Sequence, residues 1–199
     1  MAGVLFEWPL LFCGDDWPFV YTSPMRFTER PLAITDIETT GLDATVHEII
    51  ELAVLVVDQK SFKVRDQYTT RIRPAHIKTG AKRALEVAGY SPAAWRNAVD
   101  IESALTAYSK KTAGAIFTSY NMYLAYSFLD AGFKVTGVED ATDYHRLDIF
   151  SLAWSRLGPG PANLDSICRR LGIVPEPLPR RAMDGALKQF EVLRALLYR

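Results

Sequence analysis

Hydrophobic and polar positions follow two different periods along the chain. "LAITDI" (32–37) and "HEIIELAVLVVD" (47–58) are short runs of mostly apolar residues, and "QYTTRIRP" (67–74) alternates between apolar and polar positions. All three patterns are typical of β-strands. The polar stretch from Asp58 to Ser61 fits a hairpin turn between the second and third strands. The first half of the chain therefore predicts three consecutive strands with short connections.

Helical periodicity takes over after residue 80. "GAKRALEVAG" and "DIESALTAYSKKTAG" predict two helices, the second with Asp100 as its N-cap and Gly114 as its stop. "AIFTSY" predicts a fourth strand, and Asn121 is predicted to cap the helix "MYLAYSFLDAGF". "YHRLDI" predicts a short fifth strand, followed by helices in "FSLAWSRLG", "ANLDSICRRLG" and "RRAMDGALKQFEVLRALLYR". This order predicts an α/β fold with a mixed sheet.

Composition places few limits on function. The chain has 199 residues, and its 49% hydrophobic content is sufficient for an ordinary core. Lysine plus arginine equal aspartate plus glutamate, at 23 each, and a neutral total neither supports nor excludes a nucleic-acid partner. The two cysteines, Cys13 and Cys168, lack metal-type spacing. We therefore expect no disulfide framework and a reducing, cytoplasmic setting.

The first 30 residues differ from the rest. "MAGVLFEWPLLFCGDDWPF" is apolar and aromatic, but it lacks a basic start, is interrupted by Glu7 and Pro9, and is too short to span a membrane. We expect residues 1–30 to form an arm that packs on the domain or on a protein partner, with no membrane involved. Residues 31–199 are expected to form the domain itself.

Asp36 and Glu38 end the first predicted strand. Residues i and i+2 of a strand point to the same face, so the two carboxylates are expected side by side. Like charges this close repel unless a proton or a cation relieves them. A polar strand end in water and one half of a metal site both fit this pair.

Longer motifs favour the second interpretation. "DIETTGL" followed by "EIIELAVLVVD" strongly resembles the DEDD family of 3′–5′ exonucleases, in its DEDDh branch. "TSYNMYLAYSFLDAGF" and "RRAMDGALKQFEVLRAL" resemble its second and third motifs, and the similarity runs from about Pro31 to the C-terminus. The resemblance implies an RNase H-like fold, with a mixed five-stranded sheet flanked by helices. It also implies four acids that hold Mg²⁺ or Mn²⁺, a histidine base, and the 3′ ends of single-stranded DNA or RNA as substrates.

The first motif carries over residue by residue. Asp36 and Glu38 match its catalytic, metal-binding acids. The residues that match its substrate-binding loop, which touches the 3′-terminal nucleotide, are Thr39, Thr40, Gly41 and Leu42. In the second motif, Asn121 matches a further substrate-binding position.

The other chemical positions depart from the family pattern. The metal-binding Asp of the second motif falls on Ala125, and the histidine and final Asp of the third motif fall on Arg180 and Gly185. Two carboxylates do not balance two divalent ions, so we expect a single weakly held Mg²⁺ or Mn²⁺, or none. Loss of the general base typically costs about 10²–10⁴-fold in rate. We expect Ala125 and Gly185 to border one cleft that is short of ligands.

These departures leave three interpretations. The first is a catalytically impaired exonuclease-family domain that binds a nucleic-acid end or a protein. The second is an active metal-dependent 3′–5′ exonuclease with atypical ligands, and the third is a docking domain that uses residues 1–30. From its motif position, Arg180 is expected to contact Asp36 or Glu38, directly or through one water, unless its side chain points into solvent.

Overall fold

The computed structural model describes residues 26–160 and 162–198, so most of the predicted arm and Cys13 lie outside it. Its strands are β1 (Leu32–Thr39), β2 (Ile49–Val57), β3 (Val64–Arg71), β4 (Ile116–Ser119) and β5 (Arg146–Asp148). Its α-helices are α1 (Lys82–Val87), α2 (Ile101–Thr112), α3 (Met122–Thr136), α4 (Ile149–Leu157), α5 (Leu164–Leu171) and α6 (Ala182–Leu197). Short 3₁₀ turns occupy Phe27–Glu29 and Ile77–Thr79.

The five strands form one mixed sheet in the order β3-β2-β1-β4-β5. The first three strands are an antiparallel meander, because their connections are short. β4 lies parallel to β1, and β5 lies parallel to β4, since helices separate them along the chain. The predicted mixed five-stranded sheet flanked by helices is confirmed.

Helices cover both faces of the sheet. Ile34 and Leu55 belong to the core that packs against α4, α5 and α6. Ala33 and Val54 belong to the core on the opposite face, against α2 and α3. Because both faces are covered, every residue of β2 is buried, which explains its continuous apolar run.

The C-terminal helix lies across the two central strands. α6 packs against β1 and β2, and its small residues Ala182 and Ala186 are fully buried there. Small side chains allow the helix to approach the sheet closely. The predicted position of this helix over the first strand is confirmed.

The carboxyl ends of β1, β4 and β5 meet at one edge of the sheet, as they must in parallel strands. Asp148, at the end of β5, organises this edge, because its side chain accepts hydrogen bonds from the amides of Met122, Phe150 and Ser151. It thereby caps both α3 and α4. The prediction that Asn121 caps α3 with its side chain is wrong: Asn121 has left-handed backbone, at φ 59°, and its side chain makes no capping hydrogen bond.

The helices give no sign of a membrane-spanning segment. Within residues 26–160 and 162–198, none is both long enough and apolar enough to cross a lipid bilayer. Cys168, the cysteine in the described part of the chain, is a buried free thiol.

Candidate active site

Asp36 and Glu38 lie side by side on the face of β1 that is covered by α6 and the loop before it. Their strand register places Asp36 opposite Ala53, and Glu38 opposite Glu51 on β2. Burial, followed by the charges of Glu38 and Glu176, raises the pKa of Asp36 well above its usual range. Burial and Glu176 likewise raise the pKa of Glu38 to about 7. The pair is thus held in surroundings that disfavour two negative charges.

Two residues of α6 contact Asp36 directly. The Nε2 of Gln189 donates a hydrogen bond to Oδ1 of Asp36 at 2.6 Å. On the other side, Gly185 packs so closely that a Cβ built on it would lie 2.2 Å from Oδ2. The position where the family carries its last acid therefore faces Asp36, as the motif alignment implies, but it offers no ligand.

Two further acids complete the cluster, and sequence reasoning missed both. Glu51 is 5% exposed, and its Oε2 has no hydrogen-bond partner among the described residues. The Glu176 side chain is 3% exposed, although it lies in the proline-rich loop before α6. Burial raises the pKa of each. The strand register was the available signal for Glu51, because the residue opposite Glu38 shares its face.

The predicted direct contact of Arg180 with Asp36 or Glu38 is wrong. The Arg180 guanidinium donates a hydrogen bond to Asp165 on α5 at 2.9 Å, and its Nε lies 4.0 Å from Glu176. Arg180 still borders the same cleft as Asp36, and its positive charge partly offsets the rise in the pKa of that carboxyl. Gln189 and Gly185 already contact Asp36. The Arg180 guanidinium instead lies beside Asp165 on α5 and Glu176 on its own loop.

Arg181 neutralises the other side of the cluster. Its Nη1 lies 3.9 Å from Oε2 of Glu51 and donates a hydrogen bond to the carbonyl of Ala88 at 2.6 Å. Its backbone amide donates to Glu176 at 3.0 Å. Two arginines therefore place positive charge beside the acids that surround Asp36 and Glu38.

The donor set does not fit the two-ion site of the resembled exonucleases. In the part of the chain that the structure describes, no group of three or more His, Cys, Asp or Glu side chains has the arrangement needed to hold a metal ion. Gly185 supplies no oxygen, and one oxygen of Asp36 is engaged by an amide.

An open cleft of about 490 Å³ leads to Asp36. It is lined by Asp36, Tyr120, Asn121, Phe150, Arg180 and Gln189, among others. Tyr120 and Phe150 pack edge to face, with their ring centroids 6.0 Å apart. The cleft therefore joins aromatic surface to amide and guanidinium groups, which are suitable for a base and for polar parts of a nucleotide.

Ala125 lies elsewhere. It is buried in the core between α3 and the sheet, whereas Leu124 lines the cleft. Gly185 is also buried, and it packs against Asp36 without lining the cleft. The expectation that Ala125 and Gly185 border one cleft is therefore wrong.

The loop after β1 divides into structural and exposed positions. Thr40 is fully buried, and its backbone and hydroxyl groups are hydrogen-bonded to Glu48 and Ala81. Gly41 is also buried, against the ring of His47. The Thr39 hydroxyl donates a hydrogen bond to the carbonyl of Gly41 at 2.5 Å. Leu42, in contrast, is 78% exposed. Leu42 is thus the exposed residue among these four.

Sequence comparison decides the family. Residues 33–188 match the RNase_T family, described as Exonuclease. The chain belongs to the exonuclease family. A DNA polymerase III PolC-type protein of Thermotoga petrophila is 30% identical over 161 residues, which cover 80% of this chain and 11% of that protein. The chain thus spans about a tenth of the length of this polymerase relative.

Solved structures agree on the fold of this exonuclease-family chain. The nuclease domain of 3′hExo, a DEDDh family member bound to rAMP, aligns with a TM-score of 0.68 at 16% identity, over 85% of this chain and 92% of that one. E. coli Exonuclease I in complex with a dT13 oligonucleotide aligns with a TM-score of 0.72 at 17% identity, over 86% of this chain and 42% of that one. The RNase H-like fold and the resemblance to DEDD 3′–5′ exonucleases are confirmed.

Proposed function

We propose that this chain is a catalytically impaired exonuclease-family domain that binds the 3′ end of single-stranded nucleic acid without efficient cleavage. One observation carries the proposal. Gly185 stands where the family has an acid, and Asp36 packs directly against it. With Arg180 in place of the histidine base, neither the two-ion clamp nor the general base of the family mechanism is available.

Binding is supported by the groups that border the cleft. In this proposal, Asp36 and Glu38 mark the former catalytic centre, and Leu42 wedges against the terminal base. Thr39, Thr40 and Gly41 shape the loop that presents Leu42, and Asn121 contributes its exposed amide beside the cleft. The solved relatives hold rAMP and dT13, so both ribose and deoxyribose ends are suitable first ligands to test.

The relatives also suggest a context. Because similar segments occur in PolC-type DNA polymerase III, we place this domain beside DNA synthesis, where it would hold a 3′ end. Residues 1–30 are proposed to contact a protein partner. Mg²⁺ or Mn²⁺, where it binds at all, is held weakly and as a single ion.

A second candidate function is an active exonuclease with atypical ligands. The observation in its favour is Glu176, a buried carboxylate whose charge acts on both Asp36 and Glu38. Under this alternative, Glu176 replaces one of the lost acids. Its surroundings argue against this role, because one oxygen accepts a hydrogen bond from the amide of Arg181 at 3.0 Å and the other lies 4.0 Å from the guanidinium of Arg180.

The deciding experiment measures cleavage and binding together. Labelled single-stranded DNA and RNA are incubated with the protein and Mg²⁺ or Mn²⁺, with Asp36→Ala as the control. We expect binding and no cleavage above that control. Leu42→Ala should weaken binding by about tenfold or more, because burying a leucine side chain contributes about 1.5–3 kcal/mol and about 1.4 kcal/mol is a factor of ten. Val46→Ala, an equally apolar change at an exposed position of the same connection, should leave binding unchanged.

Cleavage that disappears in Asp36→Ala would refute the impaired function and support the second candidate. Absence of binding to any 3′ end would refute the nucleic-acid function and leave a docking domain.

A further inference from the structure

Gln189 bridges the first strand to the end of β4. Its side chain is 1% exposed, and both of its polar ends are used. Oε1 accepts a hydrogen bond from the backbone amide of Tyr120 at 2.9 Å, and Nε2 donates one to Asp36 at 2.6 Å. The bond to the Tyr120 amide fixes the orientation of the side-chain amide, because only oxygen can accept there. An N–H group is therefore directed at Asp36.

Asp36 is enclosed from two directions by the same helix. Residues 185 and 189 are one turn apart on α6, so they share a face. Gly185 allows the carboxylate to lie against the helix backbone, and Gln189 holds the carboxylate from the next turn. An aspartate at position 185 would require the space that Asp36 now fills.

Metal binding would require this arrangement to open. A divalent ion binds carboxylate lone pairs, and Mg²⁺ and Mn²⁺ prefer oxygen ligands. The amide hydrogen of Gln189 instead presents a positive dipole end to Oδ1. It satisfies one lone pair and adds no negative charge, whereas a carboxylate at the same place would add a further acid beside Asp36 and Glu38.

We propose that Gln189 excludes divalent metal from this site, holding the Asp36 carboxylate to α6 in the place of an ion. The inference deepens the proposed function, on which it rests, by making ligand binding and folding independent of divalent metal. A glutamate at this position has nearly the same shape, so a single substitution should restore metal binding without a change of packing.

The test uses Mn²⁺ alone as the probe and the melting temperature of the full chain as the readout. The variants are Gln189→Glu and, as a matched control on an exposed strand position, Gln67→Glu. We expect wild type and Gln67→Glu to melt at the same temperature with Mn²⁺ as with EDTA. Gln189→Glu should melt lower in EDTA, because the added carboxylate is repelled by the acids already beside it. Its melting temperature should rise with Mn²⁺ concentration.

The site of binding is checked by a second substitution. The rise in Gln189→Glu should disappear in the double variant Asp36→Asn/Gln189→Glu. If Gln189→Glu does not fold, Gln189→Ala replaces it, because it removes the N–H donor without adding charge. The melting temperature of Gln189→Ala should then rise with Mn²⁺, whereas that of wild type should not.

A wild-type melting temperature that rises with Mn²⁺ and loses this rise in Asp36→Asn would overturn the inference. So would a folded Gln189→Glu protein that does not respond to Mn²⁺. These outcomes are distinct from failure of the proposed function. Metal binding without cleavage contradicts the inference alone, whereas cleavage dependent on Asp36 contradicts the proposed function.

Discussion

At the scale of single residues, the site depends on how closely Gly185 and Asp36 pack. A glycine inside a helix ordinarily costs about 1 kcal/mol relative to alanine, so Gly→Ala in a helix usually stabilises. At position 185 the added Cβ would meet Oδ2 of Asp36 at 2.2 Å, and Gln189 prevents that carboxylate from turning away. Because of this steric overlap, Gly185→Ala should destabilise the protein, whereas Gly→Ala in a helix usually stabilises it.

We expect Gly185→Ala to lower the free energy of unfolding by about 1–3 kcal/mol, measured by urea denaturation. Gly132→Ala on α3 is the matched control. The added Cβ would meet the flexible end of the Leu105 side chain at 2.9 Å, and that end can move. Gly132→Ala should therefore lower the free energy of unfolding by clearly less than Gly185→Ala. A Gly185→Ala protein as stable as wild type would show that Asp36 is not held against α6.

Residue identities at the site were only partly predictable. Asp36, Glu38 and Gly185 followed from motif positions, and the structure places them together. Gln189 and Glu176 did not, because their roles depend on how near α6 and its preceding loop lie to β1. Arg180 was assigned the wrong partner for the same reason: the sequence does not encode that Asp165 of α5 lies closer to it.

At the scale of elements, acids and arginines fasten α6 and its preceding loop to the central strands. Burial raises the pKa values of Asp36, Glu38, Glu51 and Glu176, so the folded state binds protons more tightly than the unfolded state. Stability from such groups is fully present below their unfolded pKa and is lost as the pH rises through the folded pKa. For Glu38 this interval runs from 4.5 to about 7.

We therefore expect the free energy of unfolding to fall as the pH rises from about 4.5 to about 7, measured by urea denaturation at each pH. Three surface acids have lowered pKa values: Asp43, Asp66 and Asp100. Because they titrate below this pH interval, they do not reverse the fall in the free energy of unfolding. Glu176→Gln should flatten the fall, whereas Glu86→Gln on the surface of α1 should not. Stability that increases across this interval would contradict the burial of these acids.

Element positions were predictable where the signal is local. Every strand and α-helix in the described residues overlaps a predicted segment, although β3 begins and ends three residues earlier than the predicted 67–74. Asp100 caps α2 through the amide of Ser103, as predicted. The cap of α3 was not predictable, because Asp148 reaches it from the end of β5, a neighbour in space and not in sequence. Local capping rules favoured Asn121, which lies next to the helix in the chain.

At the scale of the whole molecule, the exonuclease fold is present, while residues of the second and third motifs depart from the DEDDh pattern. The sheet order, the covering helices and the family match over residues 33–188 all agree. At the carboxyl edge of the sheet, however, Gln189, Arg180 and Arg181 engage the acids. Fold alone does not determine function, so the site decides what this domain does.

The most direct test of this account is a crystal of the wild-type protein soaked in Mn²⁺, examined by anomalous diffraction at the metal edge. We predict no anomalous peak beside Asp36 and an intact hydrogen bond from Gln189 to its carboxylate. Two peaks about 3.5–4 Å apart, coordinated by Asp36 and Glu38, would show an ordinary two-metal centre and contradict the account.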